Sequence, residues 1–279
     1  PSSELAKRAA DLQRGIYGVD DRKDTFEITA PRMQPLIEAS LALVERTDLK
    51  KTADGRWRLR TSSFKEDYDL CSSETFASQP LGCFCSGVLI APDIVATAGH
   101  CVKSTADLDH LRFVFGFRMV DGDTARTTFS DDDVYRGTKV IGRKFTADRT
   151  DWALVRLDRP VVGRKPVRVR TTGKVKNREP VFVIGHPCGL PQKIARGARI
   201  RNNQPTAYFV ANLDTYGGNS GSPVFSARNH QLEGLLVRGQ TDFVSTGTCN
   251  VSMVFPTTGA GGEDVARATE WKKAMKKRT

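Results

Sequence analysis

No stretch of the 279-residue chain stays apolar for the ~20 residues that a membrane-spanning helix needs, so no such span is expected. Residues 1–15 lack the apolar centre of a signal peptide; they are polar and charged, and the chain reads as mature or as separated from its leader. Repeats and low-complexity tracts are missing, which sets repeat architectures aside. Aromatic residues are scarce, at 8%, and form no platform interleaved with the basic positions. Binders of single-stranded nucleic acid rely on such stacking platforms, so no specific nucleic-acid partner is expected. Acidic residues are in deficit, 32 against 43 Lys and Arg, leaving a formal charge of +11 scattered along the chain. A solvated basic surface accounts for this, and an acidic partner such as anionic envelope material is the sharper alternative.

What is present fits a globular protein, one domain or two modest ones sharing a cleft. Six cysteines occur, Cys71, Cys83, Cys85, Cys101, Cys188 and Cys249, an even number that suits a disulfide-bonded, exported chain. Zinc competes for Cys83-Phe84-Cys85 near His100-Cys101, but the usual two-residue spacer between paired ligands is missing, and no metal is expected. Asp131-Asp132-Asp133 has no further calcium-ligand pattern around it and reads as a solvated turn.

Apolar alternation and short β-rich runs dominate the order of elements. Ser2 to Arg14 has Leu5, Ala9 and Leu12 at helical spacing, ahead of Gly15. An extended arm, Ile16 to Arg22, follows. Strands are expected at Ala39–Val44, Arg56–Arg60, on both sides of the Pro92-Asp93 turn, and at Leu111–Phe117, Val134–Ile141 and Thr150–Leu157. Asp158 to Pro166, rich in proline and charge, reads as a linker. More strands are expected at Val181–Ile184, Tyr208–Leu213, Pro223–Phe225, Leu232–Val237 and Val251–Phe255. Glu263 to Arg278 reads as one long helix, with Val265, Ala268, Trp271 and Met275 on a face, acids at its start and bases at its end. The pattern is all-β with a terminal helix.

Three stretches carry chemistry. Gly217-Gly218-Asn219-Ser220-Gly221-Ser222-Pro223 describes a turn that holds a hydroxyl in the open and points amide N–H groups into one pocket. His100 follows a strand, beside the small Ala98 and Gly99. Asp151 opens an apolar strand, where a buried carboxylate needs a donor that an imidazole supplies. The order His, Asp, Ser is one of the known orders of a catalytic triad, in which the imidazole takes the serine proton and the carboxylate fixes the imidazole's tautomer.

Ala96-Thr97-Ala98-Gly99-His100-Cys101, Asp151-Trp152-Ala153-Leu154 and Gly218-Asn219-Ser220-Gly221-Ser222-Pro223 resemble the signature segments of chymotrypsin-like serine peptidases. The likeness runs from Ser86 to the last helix. Asp20-Asp21-Arg22 and the Asn-Ser-Gly-Ser-Pro ending look more like the bacterial glutamyl-endopeptidase branch. Ser2 to Arg14 and much of Asp48 to Gln79 match nothing in the family.

The resemblance implies two six-stranded antiparallel Greek-key β-barrels with the active site between them. The expected division is 1–30 as extension and arm, 31–157 as first barrel, 158–166 as linker, 167–260 as second barrel and 261–279 as helix. It implies Ser220 as nucleophile, His100 as general base and acid, Asp151 as its orienting partner, and the N–H groups of Gly218 and Ser220 as oxyanion hole. It also implies a Cys85–Cys101 bridge; Cys71 with Cys83 would be a local closure, leaving Cys188 with Cys249. Asp214 occupies the place of a pocket-floor aspartate, favouring Lys or Arg before the scissile bond, and Thr215, Leu236, Arg238 and Gly239 complete the expected pocket. The glutamyl branch has a pocket histidine where this chain has only leucine. Asn219 replaces the aspartate that traps a new N-terminus in animal members, so removal of residues 1–15 as a prosegment would act otherwise.

The reading is therefore a secreted or periplasmic, monomeric serine endopeptidase of bacterial type, cofactor-free and acting on peptides. Its rival is a latent or inactive peptidase-fold protein that binds anionic polymers through its basic surface.

Overall fold

The computed structural model describes residues 15–239, 242–258 and 261–276. The helix expected over Ser2 to Arg14 lies outside them.

The first sheet is made of Ser40–Glu45 (β1), Cys85–Ala91 (β2), Ile94–Thr97 (β3), Leu111–Phe115 (β4), Val134–Tyr135 (β5), Gly137–Phe145 (β6) and Asp151–Leu157 (β7). Their order is β5–β4–β1–β2–β3–β7–β6. Only Arg136 separates β5 from β6, so the two edges of the curled sheet are one bent segment. The apolar run in β2 is buried on both faces, and the Pro92-Asp93 turn folds it back onto β3, with Val88 opposite Ala96.

The second sheet comprises Pro180–Gly185 (β8), Lys193–Asn202 (β9), Tyr208–Ala211 (β10), Pro223–Ser226 (β11), Leu232–Arg238 (β12) and Glu263–Arg267 (β13). The order β8–β11–β12–β13–β10–β9, with β9 paired back to β8, closes a six-stranded barrel, and the arm residues Lys23–Asp24 add to β9. One apolar cluster spans both sheets, joining Leu43, Val88 and Leu154 to Phe182, Phe225 and Leu235. The two sheets thus share a core, and the edge of that core is where the functional segments meet. This is the chymotrypsin-like two-barrel architecture.

The terminal helix is shorter than its periodicity suggests. Glu263–Arg267 is the strand β13, wedged between β10 and β12 with Val265 opposite Phe209 and Leu236. Ala268–Trp271 makes one 3₁₀ turn and, among the described residues, Lys272–Lys276 is the α-helical part. Pairing on both sides satisfies the backbone of β13 and overrides its helical spacing. Trp271 is fully buried beside Trp152, which seats the chain end on the first sheet.

Residues 46–84 form an insertion between β1 and β2. Its strands Leu49–Lys51 and Trp57–Leu59 form a small sheet with Thr128–Phe129, and Leu70, beyond the Phe64–Asp67 helix, makes a bridge to Asn250. The Cys71–Cys249 disulfide fastens the two. This corrects the expected Cys71–Cys83 and Cys188–Cys249 pairs. The bridge at Leu70 delivers Cys71 to Cys249 across 178 residues, whereas Cys83 is buried in an apolar cluster of the first sheet. Cys83 and Cys188 keep their thiols. The Cys85–Cys101 bridge is present.

Candidate active site

Strand pairing assembles the first half of the site. β3 lies antiparallel to β7 with Thr97 opposite Ala153, so the residues leaving β3 arrive beside the start of β7. Gly99 makes the approach possible: a Cβ there would collide with the carbonyl of Lys144 and stand 3.1 Å from Asp151 Oδ1. Asp151 is fully buried and takes both its hydrogen bonds from His100, from the backbone N–H at 3.1 Å and from Nδ1 at 2.7 Å. An ionised Asp151 fixes the Nδ1–H tautomer and leaves Nε2 with its lone pair. Nε2 is buried and has no hydrogen-bond partner among the described residues. Arg143 Nε steadies the histidine loop by donating to the carbonyls of Gly99 and Val102.

The serine turn forms the second half. Gly218 and Gly221 have φ of 81° and 83°, the left-handed region that side chains avoid. The turn is pinned to both barrels: Ser86 N–H donates to the Ser220 carbonyl at 2.8 Å and Gly221 N–H to the Leu236 carbonyl at 2.8 Å. Asn219 is buried and its side-chain oxygen accepts from Ser222 Oγ at 3.0 Å, so an amide rather than a charge sits beside the nucleophile position. Asp242 Oδ2 accepts the Gly217 N–H at 2.8 Å and anchors the entry to the turn.

His100, Ser220 and Gly218 line one cavity of about 650 Å³. Arg238, Phe145, Glu45, Arg46 and His110 also line it. The Arg238 guanidinium lies 3.8 Å from Asp151 Oδ2, placing a cation near the carboxylate that orients His100. The sulfurs of Cys85 and Cys101 lie within 4.8 Å of a His100 ring nitrogen, a possible metal cluster by distance alone. Both are consumed in their disulfide, so the thiolates that zinc needs are not available there.

The other expected pocket residues lie elsewhere. Asp214 is buried under the arm and accepts N–H bonds from Tyr17 at 2.7 Å and Asp21 at 3.2 Å. Burial, and then the nearby Asp21 and Asp20 charges, push its carboxyl up to about 7; burial likewise pushes Asp21 up to about 6. Thr215 Oγ1 donates to Glu263 Oε2 at 3.1 Å, and Tyr17 Oη donates to Glu263 Oε1 at 3.3 Å. Gly239 stands directly over that same carboxylate, which occupies the space a Cβ would take. Leu236 contributes its backbone to the turn while its side chain fills the second barrel.

Sequence reasoning missed Glu263, because it read as the first residue of a helix. Arg22 was also missed as a support. It is buried, pairs with Asp20, donates to Tyr216 Oη at 2.6 Å and stacks 3.8 Å over that ring. The Asp-Asp-Arg arm was the available signal: it grips residues 214–216, the segment leading to the serine turn.

The model of the trypsin-like peptidase domain matches residues 85–235. A Glu endopeptidase solved with MPD superposes with a TM-score of 0.50 at 18% identity, covering 95% of this chain and all of that one. The VesB protease of Vibrio cholerae gives 0.51 at 13% identity, covering 95% of this chain and 67% of that one. Among curated proteins, the secreted RxLR effector protein 73 of Plasmopara viticola is 30% identical over 159 residues. The match covers 51% of this chain and only 38% of that relative's length. Plasmopara viticola is an oomycete, so the expected bacterial origin gains no support from it.

Proposed function

The chain belongs to the trypsin-like peptidase domain family, and on that premise we propose that it is a serine endopeptidase using Ser220, His100 and Asp151. His100 Nε2 takes the Ser220 proton as Oγ attacks the scissile carbonyl. Asp151, held at 2.7 Å from Nδ1, stabilises the imidazolium that forms. The N–H groups of Gly218 and Ser220 receive the oxyanion, and losing one such donor typically costs ~3–4 kcal/mol of transition-state stabilisation. His100 then protonates the leaving amine, and water, deprotonated by the same nitrogen, cleaves the acyl-enzyme.

The observation that carries this reading is the buried, unpartnered Nε2 of a histidine already bonded to a buried aspartate, in the cavity that Ser220 lines. A fluorophosphonate probe tests it: labelling of the wild type that disappears in Ser220→Ala is the expected result. Folded wild-type protein that takes no label would favour the rival, a non-catalytic binder.

A disulfide-permissive, extracellular setting fits the two bridges. Cleavage after basic residues is our reading of specificity. It is supported by the buried carboxylate of Glu263, which lies against Thr215 and Gly239. Arg201, stacked on the Tyr17 ring at 4.8 Å, partly offsets Glu263. The enzyme acts on peptides as a monomer, and latency before release of residues 1–15 is tested by N-terminal sequencing of the active form.

A further inference from the structure

Strand β11 runs from the serine turn to the opposite end of the second barrel, and two adjoining cavities, of about 520 and 240 Å³, open there. Arg170, Lys176, Arg178, Arg199 and Arg228 line the larger. Arg199 also lines the smaller, where Arg32 and Arg196 join it. The fold therefore gathers seven of the chain's 43 Lys and Arg residues here.

Few acids answer these seven cations. Glu233 takes Arg170, with one bond of 3.0 Å, and Glu179 stands 3.4 Å from Arg228. Asp21 accepts the backbone N–H of Arg196 and not its guanidinium. Lys176, Arg178, Arg199 and Arg32 have no carboxylate within ion-pair reach among the described residues. His230, on the smaller cavity, feels the field: its pKa falls below the usual value, through burial first and then through Arg32, Arg196 and Arg168.

The shape and lining narrow the ligand. A flat bilayer cannot enter walled cavities. Phe182, the one Phe, Tyr or Trp of this lining, is only 3% exposed and offers no face for a base to stack on. Guanidinium groups bind sulfate and carboxylate bidentately, and the amides of Asn177 and Asn229 suit hydroxyl groups. Anionic groups must project from their chain to enter such cavities. Substituents on a sugar do so, whereas the diester phosphates of a nucleic acid are part of the chain itself. We propose that this end of the second barrel is a binding site for an anionic polysaccharide bearing sulfate or carboxylate groups, remote from the catalytic cleft.

The test is fluorescence anisotropy of a labelled heparin oligosaccharide with the full chain at physiological ionic strength. The triple variant Lys176→Gln/Arg178→Gln/Arg199→Gln is expected to lose about tenfold or more in affinity and to show a flatter salt dependence, because fewer counterions are released. A matched variant on the first barrel, Arg56→Gln/Arg58→Gln/Lys139→Gln, is expected to bind like the wild type. All six positions are exposed, and an unchanged Tm verifies folding. Equal losses in both variants would assign binding to net charge alone and overturn the site. So would tighter binding of duplex DNA or polyglutamate than of heparin at equal ionic strength, or no binding of heparin by the wild type.

Discussion

Asp151 and Asp214 are both buried and each accepts two hydrogen bonds, yet their neighbours give them opposite characters. Asp151 faces the His100 imidazole and, at 3.8 Å, the Arg238 guanidinium. Asp214 faces another acid, Asp21, beneath an arm that shuts it from the cavity, and its carboxyl is pushed up to about 7. Burial alone does not make a carboxylate catalytic. The sign of what surrounds it decides.

The largest expected effect removes what Asp151 serves. Ser220→Ala or His100→Ala should lower kcat on the order of 10⁶-fold, as in other triads, with the fold intact by circular dichroism. Activity retained in either variant would break the comparison at once. Asp151→Asn keeps the shape but presents the wrong hydrogen-bond partner to Nδ1, and kcat should fall roughly 10⁴-fold. Asp214→Asn should leave kcat within a few-fold of wild type.

A smaller effect separates Glu263 from Asp214. Glu263→Gln should reduce the preference for Lys and Arg before the scissile bond by roughly tenfold, the worth of one hydrogen bond to a charged group. The Asp214→Asn profile should match the wild type, because the arm covers that side chain. A peptide-library cleavage profile measures both, and the reverse ranking would return the pocket floor to Asp214.

The smallest effect lies in stability. A carboxyl whose pKa rises on folding contributes stability that is full below its ordinary value and is lost as pH climbs through the folded value. For Asp214 that window runs from 3.8 to about 7. Wild-type Tm should therefore decline across it, and Asp214→Asn should flatten the decline. A variant with the wild-type slope would show that Asp21 alone holds the proton.

Much of the site was legible because its residues sit in short motifs whose local geometry is self-specified. Gly218 and Gly221 mark a turn that only glycine allows, and Gly99 marks a close approach beside His100. The strands were legible from apolar runs such as Val88 to Ala91. Glu263 and Asp214 were not, since their roles depend on which distant segment covers them. Neither was the Cys71–Cys249 bridge, which joins segments 178 residues apart.

The sequence by itself determined a β-rich chain with a serine turn, a histidine at a strand end and a carboxylate opening a strand, because backbone preference and apolar periodicity are local properties. Only the tertiary structure decided that Glu263 belongs to a strand and that the arm grips residues 214–216. It also decided that seven of the basic residues line one end of a barrel. Each of these is a pairing or a field between positions far apart in the chain, and no local pattern records which distant backbone or charge arrives there.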